Sequence, residues 1–188
     1  VVVQNVNHPN FEIDIIDMSN HEGPYSLGDG DCIAVGSDYG CEQASEEDRA
    51  QSVSTPYFNE HNPTIVQGTS GLQIGGLGIY KDFITLGYRA NGLHHCAIMS
   101  KKQAYEDWQE GRPWSFELLG ENDSTVLQAI GFSANPSYDA PVVRYSFGSY
   151  TRPSQLRELN PLTGEDRLLK RATVLNYDET AYAERRLW

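Results

Sequence analysis

The 188 residues predict an all-β fold interrupted by one short helix. Two kinds of observation support this. Apolar residues recur at every second position in one short run after another, the pattern of strands with one buried face. Turn-forming residues separate the runs, in a chain with 17 Gly and 9 Pro.

Near the N-terminus, Val1 to Val6 and Phe11 to Asp17 read as strands, the second with Phe11, Ile13 and Ile15 alternating with Glu12 and Asp14. Thr64 to Gln67 is expected to be a third. Leu77, Ile79 and Tyr80 lead into a Lys81-Asp82 turn, and Phe83 to Tyr88 returns as the next strand. His94 to Ser100 and Trp114 to Leu118 complete that set. Val126 to Phe132, Val142 to Phe147, Gln155 to Leu159 and Arg167 to Ala172 form another, with Val143, Tyr145 and Phe147 on one face. Within the second set Pro161 pre-sets φ for a turn, and Gly164 supplies the positive φ that closes it.

The helix follows Ser100. Ser100 suits the N-cap, and Gln103 stands where a capping box needs its reciprocal partner. Ala104, Tyr105 and Trp108 then form one apolar stripe until Gly111 and Pro113 stop the run. Packing is the expected role of Trp108.

The two complete sets begin about 54 residues apart, within the spacing of propeller blades, which are sequential antiparallel meanders of four strands. The fold class is therefore a partial β-propeller of about three four-stranded antiparallel blades. Closed propellers have at least about four blades, so the chain reads as a piece of something larger.

Charge and cysteine usage narrow the function. The formal net charge is -12, which repels phosphate backbones and argues against nucleic-acid binding. Nine acidic residues and one basic residue, Arg49, fall between Glu22 and Asn62. This reads as a solvated insertion. Three cysteines, with Val1-Val2-Val3-Gln4 lacking the basic region and cleavage site of a signal peptide, are expected to be reduced thiols in the cytoplasm. Cys32 and Cys41 are too far apart for a zinc knuckle. No apolar run approaches the roughly 20 residues of a membrane span.

No active site is expected within the chain, and catalytic, cofactor-binding and metal-binding residues are read as none. The nearest strings to a nucleophile elbow, Gly131-Phe132-Ser133-Ala134-Asn135 and Gly36-Ser37-Asp38-Tyr39-Gly40, lack its glycine spacing and its following helix. His8, His21 and His61 stand alone, and His94 and His95 alternate faces of a strand, so both cannot reach one metal. Gly75, Gly76 and Gly78 precede neither a Gly-Lys-Ser/Thr nor a helix. Glu46, Glu47 and Asp48 sit in polar sequence that would not hold them in a catalytic geometry.

A series of strings then resembles a known family. Arg144-Tyr145-Ser146-Phe147-Gly148-Ser149-Tyr150-Thr151-Arg152-Pro153, followed by Glu158-Leu159-Asn160 and Thr163-Gly164-Glu165, is similar to the last propeller blade of the oligopeptidase B group. That group belongs to the prolyl oligopeptidase family of serine peptidases. Tyr80-Lys81-Asp82-Phe83, Tyr88-Arg89-Ala90-Asn91-Gly92-Leu93 and Ala134-Asn135-Pro136 resemble the preceding blade and its connection. Tyr182-Ala183-Glu184-Arg185-Arg186-Leu187-Trp188 resembles the passage from propeller to peptidase domain. The likeness covers about Gln67 to Trp188 well and Asn10 to Met18 loosely; the acidic insertion departs from it.

The resemblance implies an incomplete blade over 1–67 carrying the acidic insertion 22–62. It implies blades over 68–121 and 122–176, and a segment 177–188 leading to an α/β-hydrolase peptidase domain of the same parent. It implies a cytoplasmic enzyme that cuts short basic peptides after Arg or Lys, with the propeller as a non-catalytic lid and size filter. The chain alone would be inactive. The alternative is a free-standing propeller-like protein-binding module without enzymatic activity. The isolated fragment is expected to self-associate through unpaired strand edges. Arg144, Arg152, Arg185 and Arg186 are expected to be solvated rather than paired.

Overall fold

A computed structural model describes residues 2–4, 11–15, 31–35, 73–90, 92–110, 114–120 and 127–186. Three antiparallel sheets follow one another in chain order. The first is β1 (Val2–Gln4), β2 (Glu12–Ile15) and β3 (Asp31–Val35). The second is a meander of β4 (Gln73–Ile79), β5 (Phe83–Ala90), β6 (Leu93–Ser100) and β7 (Glu117–Leu118). The third is a meander of β8 (Ala129–Phe132), β9 (Val143–Gly148), β10 (Gln155–Leu159) and β11 (Asp166–Arg171). The two four-stranded meanders have the organisation of propeller blades.

β3 corrects one expectation, because it lies inside the stretch read as a solvated insertion. The strand expected at Thr64–Gln67 lies outside the described residues. The acidity of the whole stretch hid a local run, Cys32-Ile33-Ala34-Val35, with the β-branched residues that favour a strand. The fourth strand of the second sheet is also shorter than Trp114 to Leu118. Trp114 instead donates its indole N–H to the Ala104 carbonyl at 2.8 Å, so it is committed to the helix rather than to the ladder.

That helix, α1 (Lys101–Gln109), begins where its sequence signal placed it: the Ser100 hydroxyl accepts the Gln103 N–H at 3.0 Å. The reciprocal half of the capping box does not form, because the Gln103 amide reaches forward to Asp107 at 2.9 Å. The inward face also differs from the expected stripe. Ala104 and Asp107 are buried and Trp108 half-buried, positions i, i+3 and i+4 of one helical face, whereas Tyr105 lies a step around and is 56% exposed.

Packing explains the sequence of the second sheet. Ile84, Leu86, Tyr88 and Ala90 of β5 join Ala97 and Met99 of β6 in a core completed by Ile13, Ala104, Trp114 and Phe116. From the other face, Phe83, Cys96 and Ile98 join Leu119, Ile130, Val143, Tyr145 and Phe147 in a second core against the third sheet. A sheet covered on both sides needs apolar residues at consecutive positions, which accounts for the near-continuous burial of Phe83–Tyr88. The third sheet has one covered face, so β9 strictly alternates through Val143, Arg144, Tyr145, Ser146 and Phe147. All six residues of β11 are exposed.

Turns close the meanders as the residues require. In the β10–β11 connection the Asn160 carboxamide oxygen accepts the N–H of Leu162 at 3.0 Å and of Thr163 at 3.3 Å. Gly164 has φ +73°, and its N–H returns to the Asn160 carbonyl at 2.9 Å.

Candidate functional site

The residues singled out in the sequence do not converge. His94 and His95 point to opposite faces: His94 is exposed, while His95 is buried and stacked on its cross-strand partner Tyr88 at 4.9 Å. Burial holds the His95 imidazole below its usual pKa, favouring a neutral packing group. Cys96 follows on the face toward the third sheet, and burial pushes its thiol up to about 12. A thiol so reluctant to ionise is a poor nucleophile. Gly131 and Phe132 end β8, and the Ser133 N–H continues to the Arg144 carbonyl at 2.9 Å; no helix follows to present the serine. Gly75, Gly76, Gly87 and Gly131 line a 220 Å³ cavity with Cys96 and Phe132. Gly75 is there for strand approach: a Cβ on it would come within 2.9 Å of the Gly87 carbonyl oxygen. His8, His21, His61, Cys41, Gly36 to Gly40 and Glu46 to Asp48 lie outside the described residues. Among the described residues no three His, Cys, Asp or Glu side chains group as metal ligands.

What the register does assemble is structural. On the outer face of the third sheet, Glu158 accepts from Arg144 at 2.9 Å and from Arg167 at 2.7 Å. These two guanidinium groups hold its carboxyl below the usual range. Arg144 is thus paired, where solvation was expected, because β9 and β10 place it directly opposite Glu158. On the inner face, Asp166 accepts the Tyr145 hydroxyl at 2.6 Å and the Arg157 Nε at 3.1 Å. Burial first, and then the neighbouring Asp166, raises the Tyr145 phenol, so it stays a donor. Sequence reasoning missed Asp166, Arg157 and Glu184, whose partners lie far along the chain; only a correct strand register reveals them.

The two meanders are tied at one end, where the Lys81 N–H reaches the Tyr138 carbonyl at 3.0 Å and Lys101 Nζ reaches the Tyr138 hydroxyl at 2.9 Å. Elsewhere the Glu184 carboxylate accepts the N–H of Leu127 and of Tyr150, each at 3.0 Å and both in connections of the third sheet, while the Arg186 guanidinium lies beside Gly92 of the second.

No family model matches the chain. Dipeptidyl aminopeptidase BI of Pseudoxanthomonas mexicana is 29% identical over 115 residues, 61% of this chain and 14% of that protein. Oligopeptidase B from Trypanosoma brucei, solved with covalently bound antipain in a closed form, is 17% identical with a TM-score of 0.45, covering 58% of this chain and 15% of that one. Oligopeptidase B from Leishmania major gives 15% and 0.45 over the same shares. The chain spans about a seventh of the dipeptidyl aminopeptidase's length. The resemblance to the prolyl oligopeptidase family, first read from the residues, is matched by a curated peptidase relative over most of this chain.

Proposed function

We propose that this chain is a non-catalytic part of the propeller of an oligopeptidase B-like serine peptidase of the cytoplasm, and that the parent hydrolyses short peptides after Arg or Lys. The observation that supports this reading best is the pair of face-packed four-stranded meanders in a chain 29% identical to a peptidase over 115 residues. In this reading a peptidase domain of the same parent supplies the nucleophile. The face-packed sheets lend it excluded volume: flexible peptides reach an enclosed site and folded proteins do not. The net charge of -12 favours cationic peptides by raising their local concentration.

The test is to express intact the full reading frame that encodes this chain and treat it with a serine-directed fluorophosphonate. Labelling is expected, with cleavage of short Arg- and Lys-containing peptides and sparing of folded proteins; residues 1–188 alone should not label. An unlabelled intact protein would sink the peptidase reading. Labelling with cleavage at other residues would overturn only the basic specificity.

A further inference from the structure

We infer that Tyr177 to Arg186 form a strap that locks the second and third sheets together at one end and releases as a single unit. The strap has little regular structure of its own, only a 3-10 turn at Glu179–Ala181 capped by Asp178, whose carboxylate accepts the Thr180 N–H at 2.9 Å. Its order comes from what it grips. The Tyr177 hydroxyl donates to the Thr151 carbonyl at 2.8 Å, in the β9–β10 connection. Its ring stacks on that of Tyr182 at 5.2 Å. Glu184 then spends one carboxylate oxygen on the Leu127 N–H, ahead of β8, and the other on the Tyr150 N–H, each at 3.0 Å. Two residues on, the Arg186 guanidinium lies against Gly92 in the β5–β6 turn of the second sheet, where a Cβ on residue 92 would come within 2.5 Å of it.

These grips touch three separate connections belonging to two sheets. The backbone donors at Leu127 and Tyr150 are satisfied by a side chain more than thirty residues away, rather than by their own meander. Arg171, at the end of β11, also pairs with Glu179 inside the strap. With so little apolar burial in the segment, no single grip is expected to hold alone. The contacts should therefore be lost together.

Amide hydrogen exchange on the full chain tests this with Tyr177→Phe and Glu184→Ala. Tyr177→Phe keeps the ring stack and removes only the bond to Thr151. If the strap is one unit, it speeds exchange at the distant Leu127 amide by about tenfold, as Glu184→Ala does directly, and the double variant adds little further. The amides of β5 and β6 should keep their wild-type rates. Wild-type exchange at Leu127 in Tyr177→Phe would overturn the inference, because the grips would then be independent. A rise shared by β5 and β6 would overturn it as well, because the segment would then be part of the global fold rather than a releasable strap.

Discussion

Truncating Phe83 to alanine tests whether the second sheet is packed on both faces. Phe83 is 1% exposed and stacks on Tyr80 at 4.5 Å, within the core shared with the third sheet. Removing a buried phenylalanine ring costs about 3–5 kcal/mol through lost transfer energy and the cavity left behind. Leu86, also 1% exposed, lies on the same strand but belongs to the other core; Leu86→Ala should cost about 2–5 kcal/mol. For a chain of this size each kcal/mol lowers Tm by about 2–4 °C, so Phe83→Ala should melt roughly 6–20 °C below wild type. Urea denaturation followed by tryptophan fluorescence gives the corresponding free energies. Because the two side chains share no core, the double variant should lose the sum of the single losses to within about 0.5 kcal/mol. A Phe83→Ala loss below about 1 kcal/mol would refute the sandwich, since that face would then be open to water.

Three further outcomes follow from local geometry. Gly120→Ala should destabilise more than Gly164→Ala by thermal melting: both have positive φ, but a Cβ at 120 also meets Gln128 Oε1 at 2.5 Å, whereas at 164 it meets nothing within 4 Å. Gly164→Ala should then cost only the left-handed backbone penalty, about 1–2 kcal/mol. Ser100→Ala, by removing the N-cap acceptor, should cost about 1 kcal/mol in urea unfolding. Cys96 should resist a disulfide reagent until the protein unfolds, and the burial that raises its pKa from 9.0 to about 12 sets a pH signature. Above pH 9 the unfolded thiol ionises while the folded one keeps its proton, so stability contributed here falls as pH rises from 9 toward 12. Cys96→Ser should flatten that slope in melting experiments.

The parts of this fold legible in the sequence were those fixed by neighbours along the chain. The cap at Ser100, the turn closed by Gly164 and the alternation of Val143, Tyr145 and Phe147 each depend on a few consecutive residues, and each is in place. β3 was not legible, because composition averaged over forty residues outweighed five that favour a strand. The pairings of Glu158 with Arg144 and Arg167 depend on register, which periodicity alone does not fix. The two grips of Glu184 lie 57 and 34 residues away in sequence and carry no local signature. The tie between the sheets through Lys81, Lys101 and Tyr138 was not legible either, because its partners meet only in the fold.

Because β5 and β6 carry apolar side chains on both faces, their meander is exposed during synthesis. The strands that cover Phe83, Cys96 and Ile98 are not complete until Phe147 has been made, about thirty residues after β7. At typical elongation rates of about 5–20 residues per second that leaves a window of roughly 2–6 seconds. During that interval a paired but half-covered sheet offers an adhesive surface to other nascent chains. The fold is thus most vulnerable while it is being made, and a ribosome-bound chaperone that shields this one face would protect it.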